Sequence, residues 1–336
     1  MKTLRLSDSK QDLSVAAEIL RNGGIVAIPT ETVYGLAANA YDVSAIDKVF
    51  AAKGRPQDNP LIVHISDMEM LNEVAVDVPP AAYALAERFW PGPLTVVLPR
   101  GEKIPDRVSA GLPTVAVRMP SSLVANELIK ISGLPLAAPS ANLSGSPSPT
   151  TAEHVLCDLD GKIDAVIMSE KSSVGVESTV VTLATQPPRL LRPGGITAEM
   201  LKTVLPTLVI DKAVLAEPEK DKPVASPGMK YKHYSPRTRI LLVESDSKHF
   251  SDFVNAEENC GALCFSEDEA LLRKPHIVYG NADDDASQAA GLFEALRAAD
   301  TLGVDKIYVH APRKSGVGLA VYNRLIRAAG FEVIDL

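Results

Sequence analysis

The chain has 336 residues, of which 46% are hydrophobic and 23% charged, and its formal net charge is −8. That length accommodates two domains with large cores, and the composition is ordinary for a globular protein. No apolar run approaches the ~18 residues of a membrane helix, and the start lacks the apolar segment of a signal peptide, so we expect a cytoplasmic protein without membrane contact. Both halves are acidic, which argues against a basic nucleic-acid module.

Helical and apolar segments alternate along the first 205 residues. Helices are predicted over residues 9–22, from Asp42 or Ser44 to Lys53, and over 79–90, 121–133, 151–159 and 194–205. Strands are predicted over residues 25–28, 61–65, 94–99, 114–120, 135–139, 165–169, 178–183 and 189–194. Strands that are apolar throughout and alternate with helices predict an α/β fold whose sheet is covered on both faces.

The rest of the chain changes character twice. Residues 206–238 are rich in Pro and Lys and have no periodicity, which predicts a linker. Four further strands, near residues 240–243, 261–265, 276–280 and 306–310, and helices near 285–300 and 319–329 follow. They predict a small Rossmann-like parallel sheet in residues 239–336, although no GxGxxG motif follows its first strand. We therefore expect a domain at 1–205, a linker at 206–238 and a second domain at 239–336.

Polar side chains interrupt the apolar pattern around the first strands. Hydroxyl side chains follow the strand at residues 25–28, Lys53 and Arg55 flank a glycine, and His64 lies in the apolar run 61–65. Hydroxyls, cations and an imidazole near strand ends suit a pocket for an anionic ligand. A hydrophobic core requires none of them.

Two further arginines lie at the ends of apolar strands. Burying an unpaired guanidinium costs several kcal/mol, so Arg118 and Arg192 must each meet a carboxylate or an anionic ligand. Glu31 and Glu177 are candidate internal partners, and structural ion pairs are the alternative to a ligand site. A triphosphate would satisfy several of these cations at once.

The candidate site residues are individually weak signals. They are Thr32, Lys53, Arg55, His64, Arg118, Ser140, Asn142, Ser178 and Arg192, most of them at or just beyond a predicted strand end. A lone buried histidine is more often a satisfied core residue, and a PSAN sequence is more often a turn. Together they indicate a site at the edge where open α/β sheets bind ligands.

Seven segments occur in one order across residues 10–205: PTETVYGL, KGRPQDNPLIVHI, WPGPLT, VAVRMP, PSANLSG, GVESTVV and LLRPGGIT. In these segments the chain resembles the YrdC-type threonylcarbamoyl-adenylate synthases, and SPGMKYKHYSP with the domain after it resembles their long, two-domain form. The resemblance implies a twisted, open, mixed sheet. It also implies condensation of L-threonine, bicarbonate and ATP, with Mg²⁺, into threonylcarbamoyl-AMP and pyrophosphate. A separate transferase then passes the threonylcarbamoyl group to the tRNA adenosine beside the anticodon.

The resemblance also implies roles for individual residues. Lys53 and Arg55 are the expected catalytic cations, and no residue is expected to hold a metal. Threonine-binding positions are Thr32, His64, Arg118, Ala138 and Ser178. ATP-binding positions are Arg55, Asn59, Thr114, Ser140, Asn142, Ser148 and Arg192, with Tyr231 or Tyr234 of the linker closing over the nucleotide. We expect the linker to act as a lid that excludes water from labile intermediates.

Three other interpretations were open. A non-catalytic RNA-binding module conflicts with the acidic balance, so any tRNA contact is expected to be weak. A carbamoyl-transfer enzyme of the hydrogenase-maturation kind would carry cysteine-rich zinc motifs, and this chain has three scattered cysteines. An enzyme of the same fold with another small-molecule acceptor is the strongest alternative.

Overall fold

The computed structural model describes residues 2–57, 59–216 and 234–336. Its strands are β1 (Leu4–Ser7), β2 (Val26–Ile28), β3 (Gly35–Asn39), β4 (Ile62–His64), β5 (Leu94–Pro99), β6 (Thr114–Arg118), β7 (Leu136–Ala137), β8 (Ala165–Met168), β9 (Thr179–Thr182), β10 (Arg189–Arg192), β11 (Val209–Ile210), β12 (Arg239–Glu244), β13 (Cys260–Phe265), β14 (His276–Gly280), β15 (Lys306–His310) and β16 (Val333–Asp335). Its α-helices are α1 (Lys10–Arg21), α2 (Val43–Lys53), α3 (Met68–Val74), α4 (Pro80–Phe89), α5 (Asp106–Ser109), α6 (Leu123–Ser132), α7 (Ala152–Leu159), α8 (Ala198–Lys202), α9 (Ser247–Ala256), α10 (Asp285–Ala298) and α11 (Gly318–Ala328).

The first sheet is large and mixed, as predicted. Its strands run in the order β1-β8-β2-β3-β7-β4-β6-β5-β9-β10-β11. β4 and β6 are parallel, whereas β5 and β6 are antiparallel. The sequence did not reveal β3, because its GLAAN segment has poor strand formers. Antiparallel pairing with β2 and β7 imposes the strand.

Alternating side chains of this sheet enter two different cores. Ala27 packs into the cluster that contains Ile46 and Val49 of α2. Its neighbours on β2, Val26 and Ile28, pack into the cluster that contains residues of α1 and α6. Period-two alternation in a strand explains this separation, and helices cover both faces as predicted.

The second sheet has five parallel strands in the order β14-β13-β15-β12-β16. The predicted parallel α/β character is confirmed, but the predicted number of four strands is wrong. β16 was missed because it is a three-residue edge strand whose residues are mostly exposed. Helix α9 was missed because it is largely polar and buries only Phe250, Ser251 and Val254.

The two sheets are linked by direct contacts between their surrounding elements. Val33 and Val176, from the part of the chain that builds the first sheet, belong to the core of the second sheet. Arg297 of α10 pairs with Asp158 of α7 at 2.8 Å. At Gly175, whose φ is +79°, an added Cβ would lie 2.3 Å from the Ala289 carbonyl oxygen of α10. Glycine is therefore required where this turn meets α10.

The predicted domain limits stay a prediction, with one refinement from the strands. β11 pairs with β10, so the first sheet extends to Ile210, beyond the predicted end at residue 205. Most of the predicted linker, residues 217–233, lies outside the described part of the chain. Across the described ranges, no helix is both long and apolar enough to span a membrane.

Candidate active site

A cavity enclosing about 740 Å³, including its open mouth, lies against the first sheet. Its wall gathers residues that are far apart in sequence: Thr32, Lys53, Arg55, His64, Arg118, Ala138, Ser140, Asn142, Ser178, Arg192 and Tyr234. All of them were predicted as site residues.

The cavity lies on a face of the sheet rather than only at its edge. His64 is the cross-strand neighbour of Arg118, and Arg118 is that of Thr95. Val63, between Ile62 and His64, points into the core beneath α2 instead. Cross-strand neighbours on one face have Cβ atoms about 5 Å apart. The alternation of side chains along each strand therefore places these polar side chains in one row. His64, Arg118 and Arg192 are nevertheless the last residues of β4, β6 and β10, which agrees with the predicted position at strand ends.

The Arg118 guanidinium is buried and held on several sides. Its Nη2 lies 2.7 Å from Glu31 Oε1, its Nη1 donates to Thr32 Oγ1 at 2.8 Å, and its Nε donates to the Gly92 carbonyl oxygen at 3.3 Å. Burial raises the pKa of Glu31, but the Arg118 charge and a hydrogen bond from the Ser121 amide together lower it by more. The net shift of the pKa is downward. Glu31 is therefore an ionised partner, as the sequence predicted.

His64 is a neutral imidazole at this end of the cavity. Burial, with the nearby Arg118 charge, lowers its pKa to about 3. Its Nδ1 lies 3.3 Å from the Ile62 carbonyl oxygen. A neutral ring next to a guanidinium can accept a hydrogen bond from a ligand's ammonium or hydroxyl group, or donate one to a carboxylate.

Lys53 is also buried, and its ammonium group binds a loop. Nζ donates to the carbonyl oxygen of Ser140 and, at 2.6 Å, to that of Asn142. Asn142 Nδ2 in turn donates to the carbonyl oxygens of Leu143 and Ser146, at 2.8 Å each. Burial lowers the Lys53 pKa well below its usual value, and the nearby Arg55 acts in the same direction. Lys53 and Asn142 thus fix the shape of the loop that carries Ser140.

The predicted ATP positions are divided between the cavity wall and its surroundings. Gly54 caps α2 in the left-handed conformation, with φ of 59°, and Arg55 Nη2 then donates to the Asn59 carbonyl oxygen at 3.2 Å. Asn59, Thr114 and Ser148 are outside the lining of the cavity, although Pro60 and Leu61 belong to it. Tyr234 belongs to the lining, with its ring 5.3 Å from that of Phe293, whereas Tyr231 lies outside the described residues.

One charged residue beside the cavity, Arg324 of α11, is not predicted from the sequence. Its side chain is fully buried, and its Nε lies 2.9 Å from Oε2 of the cavity residue Glu177. The sequence offers Glu177 as a candidate partner for the strand-end arginines, whereas the Nε and Nη2 of Arg192 donate to the carbonyl oxygen and Oγ of Ser178 at 3.0 and 3.2 Å. A signal was available: Asn323 and Arg324 interrupt a helix that is buried on all sides.

A resident metal site is not built into the described residues. Within residues 2–57, 59–216 and 234–336, no group of three or more His, Cys, Asp or Glu side chains is arranged to hold a metal ion. Glu177, which lines the cavity, and Glu31, which lies behind Arg118, each pair with an arginine. Predicted Mg²⁺ therefore has no dedicated ligand set there.

Family models match both parts of the chain. One named Sua5_yciO_yrdC and described as "Telomere recombination" matches residues 18–194, and one described as "Threonylcarbamoyl-AMP synthase, C-terminal domain" matches residues 196–330. The Bacillus subtilis threonylcarbamoyl-AMP synthase is 44% identical over 99% of this chain and 97% of its own length. The Pyrococcus abyssi protein of the same name is 44% identical over 96% of each chain.

Solved structures agree over the whole chain. A variant of P. abyssi Sua5 has a TM-score of 0.93 at 41% identity and covers 99% of this chain and 98% of its own. The P. abyssi Sua5 complex with L-threonine has a TM-score of 0.90 at 41% identity and covers 100% and 99%. These matches confirm the resemblance that the sequence motifs indicated. The chain belongs to the threonylcarbamoyl-AMP synthase family of the two-domain Sua5 type.

Proposed function

We propose that this chain condenses L-threonine, bicarbonate and ATP into L-threonylcarbamoyl-AMP and pyrophosphate. One observation carries the proposal: a single cavity joins a buried polar corner at Thr32, His64 and Arg118 to a cationic region at Arg55 and Arg192. The first suits a zwitterionic hydroxy amino acid, and the second suits a triphosphate. Family membership and a relative solved with L-threonine agree with it.

The reaction needs two bond-forming steps and no covalent enzyme intermediate. The threonine ammonium loses a proton to solvent, and the resulting amine attacks the carbon of bicarbonate or CO₂ and forms a carbamate; water leaves when bicarbonate reacts, and a second proton leaves to solvent when CO₂ reacts. A carbamate oxygen then attacks the α-phosphorus of ATP, and the bond to the β,γ-pyrophosphate breaks. Because every reactant carries negative charge, the protein contributes chiefly by positioning them and offsetting that charge.

We infer the residue roles from the groups that line the cavity. Arg118, held by Glu31, is placed to bind the threonine carboxylate, with Thr32 and His64 beside it. Arg55 and Arg192 are placed for the phosphates, and Lys53 acts by fixing the loop of Ser140. Mg²⁺ enters as part of the MgATP substrate, bound by phosphate oxygens and water.

The product's chemistry extends the proposal to its partners. Threonylcarbamoyl-AMP is a labile mixed anhydride, so a separate transferase must accept it and pass the threonylcarbamoyl group to tRNA. We place the chain in the cytoplasm, where charged and uncharged tRNA are available. The linker residues 217–233, predicted to act as a lid, lie outside the described residues, and Tyr234, which follows them, lines the cavity.

The test is pyrophosphate release by the purified full chain, with threonine, bicarbonate or ATP omitted in turn. We expect release only with all three present. Arg118→Lys should raise the KM for threonine at least about tenfold, since lysine cannot reproduce the contacts to Glu31 and Thr32 together. Arg107→Lys, at the surface pair with Asp47, is the matched control.

Two outcomes would redirect the proposal. Pyrophosphate release that does not depend on threonine would indicate an enzyme with another acceptor. An Arg118→Lys variant with unchanged KM for threonine would remove the assigned threonine site.

A further inference from the structure

A carboxylate in an anion-binding cavity needs an explanation. Glu177 lines the cavity within one residue of Ser178, and its negative charge would oppose bound phosphates. Its Oε1 accepts a 2.5 Å hydrogen bond from Ser148 Oγ, and its Oε2 lies 2.9 Å from Arg324 Nε. The carboxylate is therefore occupied on both oxygens, by one residue of the first half of the chain and one of the second.

Arg324 also contacts the backbone on both sides of the site. Its Nη1 donates to the Pro193 carbonyl oxygen at 2.6 Å, and its Nη2 donates to the Glu177 carbonyl oxygen at 3.2 Å. Pro193 follows Arg192, and Glu177 precedes Ser178. One guanidinium from α11 thus joins the two segments that present Arg192 and Ser178 to the cavity.

We propose that Arg324 is a positioning residue for the nucleotide, which neutralises the Glu177 carboxylate and fixes the segments of Ser178 and Arg192. This inference rests on the proposed function and assigns the second domain a part in ATP binding. Without Arg324, the Glu177 carboxylate would turn to the remaining cations of the cavity and compete with phosphates for them.

The charges around Glu177 support this competition. Charged and titratable groups that face it are Arg324 of α11, Arg192 of β10, Lys53 at the end of α2, and Tyr234. Burial raises the pKa of Glu177, but Arg324, Arg192 and the Ser148 hydroxyl outweigh burial and lower it. Removing Arg324 therefore raises this pKa, and nucleotide binding by such a variant should improve as the pH is lowered.

The experiment distinguishes neutralisation of Glu177 by Arg324 from a role of Arg324 only in holding the two domains together. ATP affinity of the full chain is measured by calorimetry without threonine, at two pH values, for the wild type, Arg324→Met, Glu177→Gln and the double variant. Arg324→Met should weaken ATP binding at least about tenfold, because a buried charge loses its partner. Adding Glu177→Gln should restore most of the lost ATP affinity, since no competing carboxylate remains.

Arg297→Met is the matched control, because Arg297 also pairs across the domains, with Asp158, but does not contact Glu177. It should change ATP affinity by less than about twofold. If Arg324→Met does not fold, Glu177→Gln alone decides: neutralisation predicts unchanged or tighter ATP binding, whereas a purely structural role predicts weaker binding.

Equal losses in Arg324→Met and Arg297→Met, with no rescue by Glu177→Gln, would overturn the inference. Pyrophosphate release is measured in parallel on the wild type. An active wild type with an unaffected Arg324→Met variant overturns this inference alone. A wild type that neither binds ATP nor releases pyrophosphate overturns the proposed function and this inference with it.

Discussion

Two buried arginines at or beside the cavity are each held by a carboxylate. Arg118 and Arg324 are each buried against one carboxylate, Glu31 and Glu177 respectively. A buried ion pair contributes little net stability, because desolvation offsets most of its attraction. Its use here is to hold a guanidinium or a carboxylate in one place and charge state, which a site for anionic reactants requires.

His64 gives a prediction for pH. Its pKa is about 3 in the folded chain and about 6.5 when unfolded, so between these values the unfolded chain binds more protons. Its contribution to stability is complete above pH 6.5 and is lost as the pH falls toward 3. The slope for this one group is at most about 1.4 kcal/mol per pH unit.

Urea unfolding between pH 4 and 7 measures this slope. The His64→Gln variant should have a shallower dependence of unfolding free energy on pH than the wild type. A His249→Gln variant, changed at an exposed histidine, controls for loss of an imidazole in general. Equal slopes for His64→Gln and the wild type would mean that His64 is charged or exposed when folded.

At the scale of elements, the sequence predicted most helices and the buried strands. Ser9, Asp42, Ser122 and Thr151 cap the predicted helices with their side chains. β3 escaped prediction because pairing with β2 and β7, rather than its own composition, makes it a strand, and β16 escaped because it is a short, mostly exposed edge strand. The site's location on a sheet face also escaped, since it depends on register, which one sequence does not define.

The loop of Ser140 depends on the end of α2. Lys53 Nζ donates to the carbonyl oxygens of residues 140 and 142 in this loop. Lys53→Met should lower the free energy of unfolding by about 2–4 kcal/mol, because two buried carbonyl groups lose their hydrogen-bond donor. It should also weaken ATP binding, since Ser140 loses its fixed position.

Denaturant unfolding and ATP titration of the Lys53→Met variant and the wild type measure the expected losses of stability and of ATP affinity. Lys48→Met is the control, because Lys48 donates to the Gly23 carbonyl oxygen, away from the cavity. A Lys53→Met variant as stable as Lys48→Met would mean that the loop is held by other contacts.

At the scale of the whole molecule, the core of the second domain includes residues that lie next to cavity residues of the first. Val33 and Val176 lie beside the cavity residues Thr32 and Glu177 but pack into the second domain's core. The sequence indicated two domains, but their contact could not be predicted. Arg324 follows no known motif, and its partner lies 147 residues away.

Gly175 tests this contact between the domains. A Cβ there would lie 2.3 Å from the Ala289 carbonyl oxygen, so Gly175→Ala must displace α10 or the turn. We expect a lower melting temperature and lower turnover. Gly133→Ala is a matched control, because Gly133 also has positive φ, of +67°, but no atom within 4 Å of the added Cβ.

Thermal unfolding and turnover are compared for the two variants. If Gly175→Ala loses no more than Gly133→Ala, backbone strain alone accounts for the change, and the close packing on α10 is not required.

The most direct test of the account is the product itself. The full chain is incubated with ATP, threonine and ¹³C-labelled bicarbonate, quenched within seconds and examined by mass spectrometry. We expect one species that contains AMP, threonine and a single ¹³C atom, absent when any reactant is omitted and depleted in Arg118→Lys. AMP or ADP formed without such a species would contradict it.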